Sequence, residues 1–130
     1  FSVLAQQMSD YIATIYRIQY GLTKFEWRVL ACVAQQSSIS AKDIMTVTRL
    51  DKMQVSRAIA KLKQQTYLAQ KQSNEDKRAN NVKLTRQGQE LFSVIAPLVK
   101  AQEQKLLANL SAKEQQQFIE LTRKLSQALD

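Results

Sequence analysis

A chain of 130 residues with 19 Lys and Arg against 11 Asp and Glu carries a net charge of +8 and has room for one modest hydrophobic core, not two. It contains no histidine, two glycines and one cysteine, which removes the commonest general base and metal ligand, any glycine-rich phosphate loop and any internal disulfide. With scattered acids and no apolar run near the roughly 20 residues of a membrane span, the composition predicts no enzyme, no metal or other cofactor and no membrane partner.

The opening residues Phe1-Ser2-Val3-Leu4 lack the basic flank and cleavage site of a signal peptide, and a start on Phe points to a trimmed N-terminus. Together with the lone Cys32 this predicts a cytoplasmic protein. Leu4, Met8, Tyr11, Ile15 and Ile18 then recur at steps of 4, 3, 4 and 3, a heptad seam on a helix ending at Gly21 that is expected to pack on another long helix. Thr23-Lys-Phe-Glu26 reads as a capping box opening a second helix, with Phe25, Val29, Leu30 and Val33 inward. Ser40-Ala-Lys-Asp43 caps a short third helix that turns Ile44 and Val47 inward and stops near Thr48-Arg49-Leu50. Asp51-Lys-Met-Gln54 opens a fourth at once, with Val55, Ala58, Ile59 and Leu62 at i, i+3, i+4 and i+7. Two short capped helices about three residues apart are the sequence form of a helix-turn-helix.

After Gln65 the period changes. Tyr67–Ser73 fits a strand, Asn81–Thr85 alternates polar and apolar residues, and the polar stretch between them predicts a β-hairpin with a charged tip, a wing. Thr85 then caps a long helix bearing Leu91, Val94, Ile95, Leu98, Leu106 and Leu110, with Pro97 inside it as a source of kinking. Ser111-Ala-Lys-Glu114 is a further capping box, followed by Phe118, Leu121, Leu125 and Ala128. The expected fold is mainly α with a small β-hairpin wing: a winged helix-turn-helix over residues 22–88, flanked by dimerisation helices in 1–20 and 89–130.

The charge is concentrated. Between Lys42 and Arg86 eleven basic residues face four acids, a net +7, while the rest of the chain carries +1. One strongly positive face is the footprint of a polyanion binder, here double-stranded DNA. On the helix after Asp51, the positions left over from the buried stripe include Lys52, Gln54, Ser56, Arg57, Lys61 and Lys63. Arginine binds guanine bidentately, glutamine does so with adenine, and lysines toward the helix end fall near phosphates. An ordinary solvated helix face is the alternative. Its place in the basic block, after a capped partner helix and before a charged hairpin, argues against it. Ser40 joins the set at the start of the preceding helix. At the hairpin tip, Lys77 and Arg78 add charge; Arg78 suits a narrow minor groove, and Asp76 stands where it can orient that guanidinium.

The run Glu75-Asp-Lys-Arg-Ala-Asn-Asn-Val-Lys-Leu-Thr-Arg-Gln-Gly88 resembles the wing signature of the multiple antibiotic resistance regulator (MarR) family: D-x-R, a V-x-L-T strand, then a glycine opening a long helix. Gly21-Leu-Thr-Lys-Phe-Glu-Trp-Arg-Val-Leu30 is similar to that family's second helix, and Val55-Ser-Arg57 followed by Leu62 to its recognition helix. The likeness implies a homodimer held by the terminal helices, with Arg57 in the major groove and Arg78 in the minor groove. Two positions depart from the pattern. Arg49 stands where the turn usually carries glycine, adding a possible phosphate contact, and Thr66 stands where the recognition helix usually ends on glycine.

The family also implies an effector, a small aromatic acid or an oxidant. Tyr16, Tyr20, Trp27 and Arg28 are a candidate pocket for such an acid, with core packing as the competing explanation. Cys32 lies mid-helix in apolar surroundings and reads as an inert buried thiol. The expected function is a sequence-specific transcriptional regulator, a homodimeric repressor on a palindromic operator, released by a small aromatic ligand. An architectural DNA binder and a helical protein-interaction adapter are the alternatives.

Overall fold

Capping chemistry sets most of the element boundaries. A computed structural model describes residues 1–71 and 80–130, so Asp76, Lys77 and Arg78 lie outside the described residues. The elements are α1 (Ser2–Ile18), α2 (Lys24–Ala34), β1 (Ile39–Ser40), α3 (Ala41–Thr48), α4 (Lys52–Gln64), β2 (Leu68–Lys71), β3 (Asn81–Leu84), α5 (Arg86–Leu107) and α6 (Ala112–Ala128). Side chains of Thr23, Ser40, Asp51, Thr85 and Ser111 each accept the N–H three residues on. Reciprocal capping boxes close at Asp51–Gln54 and Ser111–Glu114.

The box expected at Thr23 takes another form. The Glu26 carboxylate accepts from the Thr23 hydroxyl at 2.7 Å instead of reaching back to the Thr23 N–H. It is drawn into the interior, with Glu26 only 8% exposed.

The core gathers Val29, Leu30 and Val33 of α2, Ile44 of α3, the stripe Val55, Ala58, Ile59 and Leu62 of α4, and Ile95 and Val99 of α5. Burying each of these Val, Leu and Ile side chains is worth about 1.5–3 kcal/mol. Phe25 and Val47, both expected inside, are 42% and 64% exposed. Leu22 fills the space at the start of α2, and α3 is so short that Ile44 alone is enclosed. From α1, Ala13 and Tyr16 are buried, while Leu4 and Ile18 of the heptad seam stand 57% and 80% exposed. The seam is therefore split: Ile15 packs against the core and Met8 is half-buried, while its two ends stand in solvent. The helix assignment of α5 continues unbroken past Pro97, whose missing N–H leaves the Ser93 carbonyl without its usual donor.

The sheet is antiparallel, in the order β1-β3-β2. β2 pairs with β3 with Leu68 opposite Leu84 and Gln70 opposite Val82, and Ile39 of β1 pairs with Val82 from the other side. Val82 and Leu68 point into the core. The two-residue β1 is absent from the sequence expectation, because its only evidence is a partner some forty residues away.

The two departures from glycine both sit at positive φ: Arg49 at 61° ends α3, and Thr66 at 69° follows α4. Around Thr66 a Schellman motif is complete, with Tyr67 N–H donating to the Leu62 carbonyl at 2.9 Å and Thr66 N–H to the Lys63 carbonyl at 3.0 Å. A β-branched residue is strained there by about 1–2 kcal/mol. It is held by the Thr85 hydroxyl, which donates to the Thr66 carbonyl at 2.6 Å, and by its own hydroxyl donating to Gln87 Oε1 at 2.5 Å. Thr66→Gly is expected to raise stability by about 1 kcal/mol, seen as a higher Tm in calorimetry. An unchanged or lower Tm would mean that the hydroxyl contact outweighs the strain.

Candidate nucleic-acid interface

The interface is built on α4. Its apolar stripe is clamped beneath α2 and α3, so the opposite face is turned to solvent, and Lys52, Ser56, Arg57, Lys61 and Lys63 are all exposed there. Among the described residues Arg57 and Lys61 make no hydrogen bond or ion pair. The outward face also carries Met53, 61% exposed, which lies off the buried stripe yet does not belong to the polar set read from the sequence.

Several of the expected contacts already have a use inside the chain. Gln54 Oε1 accepts the Asp51 N–H at 3.0 Å, so its amide is held by the cap and is not presented as a bidentate pair. Ser40 Oγ accepts the Asp43 N–H at 3.1 Å while its backbone pairs with Asn81 across β1 and β3. Lys63 Nζ donates to Gln70 Oε1 at 2.9 Å, tying the far end of α4 to β2. Arg49, at the turn between the paired helices, forms an ion pair with Asp130 while remaining 75% exposed. An exposed pair of this kind contributes little and is readily exchanged for a phosphate.

The four residues of the expected effector pocket fall into different settings. Tyr16 stacks on Trp27 with centroids 5.5 Å apart, and Trp27 stacks in turn on Phe92 at 5.7 Å. This three-ring column fills the space between α1, α2 and α5. Tyr20 lines a separate cleft of about 360 Å³ with Gln65, Tyr67 and Glu90, and Arg28 is exposed on α2. Cys32 is buried, and desolvation pushes its thiol above the ordinary value, keeping it protonated at neutral pH. Among the described residues there is no group of three or more side chains able to hold a metal, and no helix long and apolar enough to cross a membrane.

Comparison with known proteins agrees with this geometry. A family model described as a winged helix DNA-binding domain matches residues 22–88. The transcriptional regulator HosA of Escherichia coli O157:H7 is 25% identical over 125 residues, covering 96% of this chain and 93% of that protein. A crystal structure of a MarR/EmrR family transcriptional regulator from Acinetobacter sp. ADP1 superposes with a TM-score of 0.87 at 31% identity, covering 99% of this chain and 91% of the other. BpsR of Bordetella bronchiseptica, whose DNA binding is regulated by 6-hydroxynicotinic acid, superposes with a TM-score of 0.83 at 26% identity, covering 96% and 97%.

Proposed function

This chain belongs to the MarR family of winged-helix transcriptional regulators, and on that premise we propose that it acts as a homodimer that recognises a palindromic operator and represses from it. The observation that carries the reading is α4: four apolar residues inward, and a basic face with an exposed Arg57 outward. In this reading residues 22–88 form the DNA-binding region, while 1–20 and 89–130 supply the dimer contacts. Support for the dimer comes from α6, which buries no residue within its own chain and leaves Phe118, Leu121 and Leu125 38%, 60% and 67% exposed. Apolar surface on this scale marks an interface.

Arg57 reads a base, and Lys61 and Lys63 hold phosphates, Lys63 after leaving Gln70. Arg49 adds a phosphate contact at the turn, Lys52 and Ser56 approach the backbone at the helix start, and Arg78, oriented by Asp76 and with Lys77 adding charge beside it, enters the adjacent minor groove. Selection of bound sites from random duplexes should return a palindrome. On that site Arg57→Ala is expected to cost about 1–3 kcal/mol and to relax one position per half-site. Lys61→Ala should weaken all duplexes alike and flatten the salt dependence. Equal loss on every duplex for Arg57→Ala, or no consensus at all, would instead identify a non-specific binder.

A small aromatic acid is proposed as the effector, supported by the likeness to BpsR. Tyr16, Tyr20, Trp27 and Arg28 are the residues proposed to meet it, the first and third already stacked on each other. Adding 6-hydroxynicotinic acid or another small hydroxylated aromatic acid to the complex with the selected duplex should release the DNA; full retention with every member of such a panel at millimolar concentration would exclude this class of effector.

A further inference from the structure

The N-terminal half of a recognition helix is the part that meets base edges, and in α4 few side chains there are available to do so. Asp51 is the cap, Gln54 is tied back to it, and Val55 is buried. That leaves Lys52, Met53, Ser56 and Arg57 facing outward. Met53 is the anomaly: a long, unbranched apolar side chain, 61% exposed, in the most basic third of the chain. Nothing within the described chain covers it, and a purely electrostatic surface gains nothing from it.

We propose that Met53 is a specificity-determining residue that packs on the 5-methyl group of a thymine in the major groove, one turn of helix from the base read by Arg57. The inference rests on the DNA-reading role proposed for α4. The chemistry is complementary: the thymine methyl is the one apolar feature on the major-groove edges of the bases, and a flexible thioether adapts to a shallow apolar contact. The spacing is suitable as well. Residues 53 and 57 are i and i+4 on one helix face, about 6 Å apart along the axis, which spans about two base-pair steps of 3.4 Å. A guanine contacted by Arg57 should therefore have a thymine within about two base pairs of it on the side toward the start of α4.

Deoxyuridine tests this directly, because it lacks only the methyl. Each thymine of one selected half-site is replaced in turn, and affinity is measured for the wild-type protein and for Met53→Ala. At one thymine the wild type should lose about fourfold, the value of one buried methyl group. Met53→Ala, which removes the contact in both half-sites, should lose about 16-fold on the thymine duplex and nothing further when uracil is introduced, with the slope of affinity against salt unchanged. Since Met53 is exposed, the variant should unfold at the wild-type temperature. Two outcomes overturn the proposal: no thymine whose methyl matters to the wild type, or a Met53→Ala loss that is equally large on the uracil duplex. If the selection itself returns no consensus, the base-reading role of α4 falls, and this inference falls with it.

Discussion

Leu121→Glu combined with Leu125→Glu is expected to convert the proposed dimer to a folded monomer and to lower affinity for the selected palindrome by at least about 100-fold. Both side chains lie on α6, exposed by 60% and 67% within the chain, so neither substitution removes a core contact. At a dimer interface, burial of each leucine contributes about 1.5–3 kcal/mol, and both leucines are changed in both copies. Scaled to the fraction still exposed, the summed loss is about 4–8 kcal/mol, before counting the cost of burying new carboxylates. That suffices to move a nanomolar dimer into the range above micromolar. Operator affinity falls further than dimer stability alone suggests, because two half-sites bound by linked protomers gain from effective concentration. Sedimentation and circular dichroism separate the outcomes. A monomer with unchanged helicity supports the assignment, whereas an intact dimer means that α6 is not the seam.

Gly88→Ala is expected to destabilise the protein by about 3 kcal/mol, against the ordinary helix preference, which favours alanine over glycine by about 1 kcal/mol. A Cβ at residue 88 would stand 2.1 Å from the Tyr67 carbonyl oxygen and 3.1 Å from its carbon. That oxygen cannot move aside cheaply. It accepts the Thr85 N–H at 3.1 Å, and the Tyr67 N–H is held by the Leu62 carbonyl at 2.9 Å. The close approach is therefore the joint at which the end of the recognition helix is fastened to the start of α5. Forcing it open should lower Tm by about 10 °C or more and weaken DNA binding in the same variant, because α4 would lose its fixed angle to the long helix. A Tm at or above the wild-type value would mean that the joint is soft and that glycine is there for another reason.

What the sequence determined by itself is what acts within about one helical turn or between adjacent strands. Caps at Thr23, Ser40, Asp51, Thr85 and Ser111, the stripe from Val55 to Leu62, and the change of period after Gln65 all depend on side chains bonding or aligning with residues three or four away, or on simple alternation. For that reason they are legible in a string of letters. The resemblance of the wing run to a known signature extended that reading to the family, and the concentration of charge between Lys42 and Arg86 carried it to a polyanion partner. Which apolar residues end up inside was decided elsewhere. Phe25 and Val47 have the same letters and spacing as their buried neighbours, but no second element arrives to cover them. β1 exists only because Val82 comes alongside Ile39. Tyr16 and Trp27 close on each other and on Phe92 because α1, α2 and α5 converge there, a contact that no spacing in the sequence announces. Gln54 looks like a base reader in the sequence, yet its amide oxygen completes a cap. A side chain has only so many hydrogen bonds and faces to give, and the tertiary arrangement settles which partner receives them.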